Sequence, residues 1–325
     1  MPETKEKRQT CGLGWNQQSQ APPFLKCSQY TLISMKVHLV DGTYELFRHY
    51  YAIPPKKNKH GEHVAAARGV VMSMLQLMSE ATHTGVATDH VIESFRNPLW
   101  PDYKDGSGIP PDLYSQFGLL EEALQALGFV VWPMIEYEAD DALAAGAQIC
   151  AKDSRVEQVL ICTPDKDLAQ CVKGDHVVQL NRRFNKIMNE AGVIAKFGVP
   201  PESIADYLAL VGDSADGYPG IPGWGAISSA KVLKKFKHIE KIPLDVTKWN
   251  VDVSNAGGLC ANLKNNIDNA LLFRRLATLV IDGPVQSSVD DLQWKGPTPL
   301  FREFCKRLEA PDLYERAKAL CNARF

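Results

Sequence analysis

The chain has 325 residues, of which 45% are apolar and 23% charged, with a net charge of −2, an ordinary composition for one large or two modest folded domains with a sizeable core. No apolar run reaches the ~18 residues of a membrane span and the N-terminus lacks the charged-then-apolar pattern of a secretory signal, so the reading is an intracellular, cytoplasmic protein with no membrane partner. The eight cysteines form no C-x-x-C pair and several sit among apolar neighbours, which favours buried reduced thiols over disulfides or zinc.

Residues 1–34 are polar, rich in Gln, Lys and Pro, and read as a loose tail. Met35 directly precedes "KVHLVDG", so a true start at Met35 is an open reading. Four short apolar runs then read as buried parallel strands: "KVHLV" (36–40), "DHVIE" (89–93), "GFVVWP" (128–133) and "VEQVLIC" (156–162). Helical stretches follow them, including "AAARGVVMSMLQLMSEA", "SQFGLLEEALQAL", "EADDALAAGAQICA" and "DLAQCV". That alternation predicts a wound α/β sheet over 35–195. "HVVQLNRRFNKIMN" reads as a hairpin with Arg182, Arg183 and Lys186 near its turn, equally consistent with a solvated turn. From 196 to 325 the pattern is helical, as in "PESIADYLALVG", "AISSAKVLKKF", "ANLKNNIDNALLFRRLATLV" and "PLFREFCKRL", punctuated by Gly and Pro.

In an open parallel sheet, residues beyond the carboxyl ends of separate strands converge. Asp41 follows the first predicted strand, Glu93 ends the second, Glu138, Asp140 and Asp141 open the helix after the third, and Asp165 and Asp167 follow the fourth. Each alone is explicable as a helix cap. As a set they repel unless cations sit among them. An all-oxygen donor set favours Mg²⁺ or Mn²⁺, two of which can stabilise both oxygens of an in-line phosphoryl displacement. The helix predicted over "YLALVGDSAD" adds Asp213 and Asp216 at i, i+3 spacing. The following "GYPGIPGWG" exposes backbone N–H groups to a phosphate in the manner of a helix-hairpin-helix. The net charge argues at first against nucleic acid, but with these acids neutralised by metal the remaining balance is basic.

The ordered motifs "LVDGTYELFRHYYA", "SFRNPLWPDYK", "EYEADDALA", "TPDKDLAQ" and "FGVPPESIADYLALVGDSADGYPGIPGWG" resemble the 5′ nuclease family: the 5′-3′ exonuclease domain of bacterial DNA polymerase I, its stand-alone and phage relatives and, more distantly, the flap endonucleases. The resemblance implies a PIN-like wound parallel sheet with a helical arch, and a C-terminal helical region with a helix-hairpin-helix type element that holds K⁺. It also implies a monomeric, bacterial-type, nucleoid-associated enzyme cutting DNA near 5′ ends, flaps and branched duplex. It assigns Asp41, Glu138, Asp140, Asp141, Asp165, Asp167, Asp213 and Asp216 to the metal positions, with Glu93 standing where the family has Asp. Lys104 and Arg96 match the family's "FR…YK", and with Asp41, Asp141 and Asp165 form the implied catalytic set. Arg48, Tyr50, Tyr51, Tyr103, Lys104, Gly220, Ile221, Gly223, Gly225 and Lys231 are the implied DNA contacts. Ser107 and Ile227 stand where the family often has Arg and Lys. A non-catalytic DNA-structure-binding relative and a PIN-like ribonuclease are the alternatives. With no polymerase domain following, the sequence reads as a stand-alone nuclease.

Overall fold

A computed structural model describes residues 35–285 and 288–324; the expected tail, with Cys11 and Cys27, lies outside the described residues. Six strands, β1 (Met35–Asp41), β2 (His83–Asp89), β3 (Val130–Met134), β4 (Val156–Cys162), β5 (Val177–Asn181) and β6 (Lys186–Met188), form one sheet in the order β3-β2-β1-β4-β5-β6. Every pairing is parallel except β5 with β6, which closes the expected hairpin.

The sheet is buried on both faces, and the period-2 alternation of its strands sorts side chains between two layers. Val40, Leu160 and Cys162 join the core under α1 (Gly42–Ala52), α2 (Ala65–Leu77) and, after the short α3 (Pro111–Tyr114), α4 (Phe117–Leu127). Val37, Leu39, Val159 and Ile161 turn the other way, onto α5 (Ala139–Cys150). A third apolar cluster lies among the later helices: α6 (Glu190–Phe197), α7 (Ile204–Val211), α8 (Ala226–Phe236), α9 (Ala256–Asn265) and α10 (Ile267–Ala277). Two last helices, α11 (Phe301–Arg307) and α12 (Asp312–Asn322), return to the first core through Phe301, Cys305, Leu308 and Leu313.

Three sequence expectations change. The second strand is not 89–93 but 83–89, and Val91 and Glu93 beyond it are exposed. β2 is made of small and β-branched residues because a neighbour needs the room: a Cβ on Gly85 would lie 2.5 Å from the Trp132 ring. Secondly, residues 90–110, which hold the family-type "FR…YK" residues Arg96, Tyr103 and Lys104, run through turns without a helix, and the four-residue α3 follows them. Thirdly, α7 stops at Val211, so Asp213 and Asp216 sit in a turn closed by the Asp213–Tyr218 bridge rather than on a helix.

That turn folds back on the end of α7, with the Ile221 amide donating to the Leu210 carbonyl (2.9 Å). Gly220 has φ +73, and a Cβ there would lie 2.4 Å from the Gly212 nitrogen. Both the backbone strain and the overlap with main-chain atoms oppose any side chain. Gly220→Ala is therefore expected to lose at least about 2 kcal/mol in urea denaturation. Gly108→Ala, which meets nothing within 4 Å, should stay within about 0.5 kcal/mol of the parent.

Candidate metal centre and its lysines

Asp41 ends β1 and caps α1, accepting from the Tyr44 amide (2.8 Å) and from Thr163 Oγ1 (3.0 Å). Asp89 ends β2 and is positioned by both neighbours: its amide donates to Thr43 Oγ1, and its Oδ1 accepts from the Ala139 amide at the start of α5 (both 2.8 Å). Past β4, the Asp165 carboxylate accepts from the Asp167 amide (3.0 Å), so the loop turns back on itself and presents both acids together. Gln179 of β5 fastens it by donating to the Asp165 carbonyl (2.6 Å).

Single oxygens of Asp140, Asp165 and Asp167 lie within 4.8 Å of one another, as do single oxygens of Asp167, Asp213 and Asp216. Asp167 belongs to both groups, and its buried Oδ1 has no hydrogen-bond partner. A buried, unpartnered carboxylate oxygen at the meeting of two all-oxygen groups fits a hard divalent cation.

The crowding shifts the charges. Burial, with Asp89 and Asp165 close by, pushes Asp41 up to about 7. Burial and neighbouring aspartates likewise raise Asp140 and Asp167 well above the carboxylate range. Asp89 and Asp216 also shift upward, mainly by burial, against the pull of Lys104. Glu138 goes the other way: burial alone would raise it, but Lys104 and Arg96 hold it down at about 2. Lys104 Nζ lies 2.7 Å from Glu138 and 3.1 Å from Asp216, and Lys166 Nζ lies 2.5 Å from Asp213. These two lysines are the site's own counterions.

Several expected roles need correction. Glu93 is exposed and lies beside Asp105 and Ser107 on the outer surface; the second strand's carboxylate is Asp89, hidden in the sequence because "TGVATD" has few large apolar residues. Asp141 cannot serve as a ligand without losing its partners. Its two oxygens accept from Arg96 Nη1 and Nη2 (both 2.7 Å) and from the amides of Glu138 (3.0 Å) and Val280 (2.9 Å). Arg96 is correspondingly 1% exposed, and its Nε donates to the Leu276 carbonyl (2.8 Å), so it clamps α5 to the end of α10 and is closed to solvent. Tyr103 is buried, with its hydroxyl donating to Glu138 (3.0 Å), and has no free face for a base.

The other expected DNA contacts scatter. Arg48 pairs with Glu45, and the Tyr50 hydroxyl donates to Asp112 (2.9 Å). Tyr51 is 71% exposed, but ten residues along α1 places it about 15 Å from Asp41. Both tyrosines border a cavity of about 540 Å³ with His63 and Gln116. Ile221 is buried beneath the glycine turn, Gly223 and Gly225 are exposed, and Ile227 is 78% exposed at the start of α8. Lys231 is exposed, its Nζ donating to the Asp252 carbonyl (2.8 Å). Thr163 and Lys166 were not anticipated; both flank acids that were, in "CTPDKD".

Two consequences concern stability. Arg96→Ala leaves Asp141 and Glu138 buried without their cation, and a loss of about 3–5 kcal/mol is expected in urea denaturation. Asp41 binds its proton more tightly folded than unfolded, so from this group stability is full below pH 4 and is lost as pH rises through 7. In chelator, Tm should therefore fall between pH 5 and pH 8. Asp41→Asn should flatten that fall; an unchanged slope would show that Asp41 is not the group responsible.

Among the described residues no helix is long and apolar enough to cross a membrane. Two family models match consecutively: the N-terminal resolvase-like domain of 5′-3′ exonuclease over residues 36–198, and its C-terminal SAM fold over 199–299. The 5′-3′ exonuclease of Aquifex aeolicus is 30% identical over 264 residues, covering 80% of this chain and 87% of that protein. DNA polymerase I of Bacillus subtilis is 32% identical over 267 residues, and the match spans 80% of this chain but only 30% of the polymerase. In fold, the zinc-bound 5′-exonuclease of phage T5 superposes with a TM-score of 0.60 at 16% identity, covering 88% of this chain and 98% of that one. The catalytic core of Rad2 in complex with DNA substrate gives 0.58 at 14%, covering 88% and 92%. The strand-end acids, the helical region behind them and both family models agree: the chain belongs to the 5′-3′ exonuclease family.

Proposed function

We propose that the chain is a 5′-3′ exonuclease and structure-specific flap nuclease that hydrolyses DNA phosphodiester bonds with divalent metal ions. The observation that carries this reading is the shared Asp167, with its unpartnered buried oxygen, between two carboxylate groups flanked by Lys104 and Lys166. Asp140, Asp165 and Asp167 would hold one ion and Asp167, Asp213 and Asp216 a second, Mg²⁺ or Mn²⁺ by their all-oxygen chemistry. Ions held there would supply positive charge to the oxygens of a phosphodiester undergoing in-line displacement. Asp41 and Asp89 set the far wall, and Glu138 orients Lys104.

Lys104 is the residue suited to meet developing negative charge on the phosphate, since its ammonium is fixed before substrate arrives. The sheet region, 35–195, carries the cutting site, and the helical region, 196–325, grips duplex. Exposed Gly223 and Gly225 and the first turn of α8, whose N–H groups lack partners within the helix, approach one phosphate, and Lys231, Lys234 and Lys235 continue the basic face. Because the 212–225 turn has few side chains, a K⁺ ion there would be held by backbone carbonyls. A single copy of the chain suffices for all these parts.

The test uses 5′-labelled flap, blunt-duplex and RNA substrates with Mg²⁺, Mn²⁺ or EDTA. Metal-dependent cutting of DNA is expected; binding without cutting, or preferential RNA cutting, would sink the reading. Asp89→Asn should lower cleavage at least about 100-fold, whereas Glu93→Gln should stay within about twofold. The reverse outcome would restore Glu93 to the site.

A further inference from the structure

The β5–β6 hairpin carries two arginines whose surroundings differ sharply. Arg182 is anchored: it pairs with Glu45 of α1 (3.0 Å) and donates to the Ser73 carbonyl (3.2 Å) and hydroxyl (3.0 Å) of α2. Arg183, Phe184 and Lys186 are exposed, Phe184 at 69%. The Arg183 guanidinium lies over the Phe184 ring, 5.1 Å from its centre, and neither Arg183 nor Lys186 has an acidic partner among the described residues. The tip is shaped before anything binds. Asn185 takes the left-handed conformation (φ 48), and the Asn181 side chain accepts from the Phe184 amide (3.3 Å).

Position makes this tip more than a solvated turn. β5 is parallel to β4 and β1, so its carboxyl end lies on the edge that carries Asp41 and Asp165. Two strand spacings separate β5 from β1, about 10 Å. After burial, the charges that act on the Tyr44 phenol, three residues beyond Asp41, include those of Arg48 and Arg183. An exposed aromatic ring between two unpaired cations is the chemistry that holds single-stranded nucleic acid: the ring stacks on a base and the cations meet phosphates.

Building on the nuclease reading, we infer that the Arg183–Phe184–Lys186 tip holds unpaired nucleotides of the DNA next to the cut. It does so on the α1 flank of the acidic centre. Phe184 stacks on a base, and Arg183 and Lys186 grip the adjoining phosphates without reading sequence.

The experiment measures binding of the full chain to flap DNA and to plain duplex, in EDTA, across a salt series. The flap carries 2-aminopurine at the first unpaired positions. Phe184→Ala should weaken flap binding about tenfold and abolish the quenching of 2-aminopurine, while Phe184→Trp restores both. Arg183→Ala should reduce the slope of log Kd against log salt by about 0.7 for the flap. Plain duplex should bind all variants as it binds the parent. Variants matching the parent on flap DNA would overturn this inference alone. A parent that binds no DNA would overturn the nuclease reading and the inference with it. Equal losses on flap and duplex would also overturn it, because the tip would then be a duplex contact.

Discussion

Like charges forced together at one edge of a sheet dominate this molecule. Asp41, Asp89, Asp140, Asp165, Asp167, Asp213 and Asp216 come from five separate segments, and most are buried enough that water cannot screen them. Crowding of this kind is costly in a folded protein, and the upward shifts of Asp41, Asp140 and Asp167 express that cost. The fold offsets it partly with its own cations. Lys104 bridges Glu138 and Asp216, and Lys166 meets Asp213, so the turn after α7 is tied to the sheet by charge as well as by packing. Among the described residues, Asp140, Asp165 and Asp167 have no lysine within ion-pair distance, and that asymmetry favours added positive charge there.

The Arg96–Asp141 pair solves a different problem. A guanidinium 1% exposed needs its donors filled, and here Asp141, Glu138 and the carbonyls of Leu276 and Thr278 fill them. Two of those groups belong to the start of α5 and two to the end of α10, so the pair locks the helical region against the sheet at the level of the metal centre. The same ionic chemistry that would be expensive if broken thus fixes where Glu138, and through it Lys104, must stand. Neighbouring acids of "EADD" thus meet different partners: Asp140 joins Asp165 and Asp167, while Asp141 is held by Arg96.

Much of this was legible in the residues. β1 and β4 each carry a short apolar run, with Asp41 closing the first and Asp165 following the second after "TP", and the helical periodicity of α4, α5 and α8 is plain. What failed did so for identifiable physical reasons. β2 was displaced because its burial is achieved with Gly85, Ala87 and threonines to accommodate Trp132, so its hydrophobic signal is weak and the exposed "HVIE" that follows looks stronger. Asp141 and Arg96 were assigned to chemistry because composition and motif cannot distinguish a carboxylate that faces a cavity from one saturated by an arginine. The turn at Asp213–Tyr218 was read as helix because i, i+3 acids suit both; Gly212 at φ 88 ends the helix first.

On the proposed nuclease reading, the charge around the centre suits a polyanion passing across it. On the α10 side, α8 offers exposed lysines and a glycine turn that lets a backbone phosphate come close. On the α1 side, the hairpin offers a ring and two cations that have no acidic partner among the described residues. Between them, the acidic edge repels phosphate until cations occupy it. A strand gripped at both flanks would still bind without metal, and bound cations would remove the repulsion at the centre and tighten that grip. A net charge of −2 therefore says little about affinity for DNA: the acids are concentrated where the proposed ions would sit, and lysines and arginines flank them where phosphates would lie.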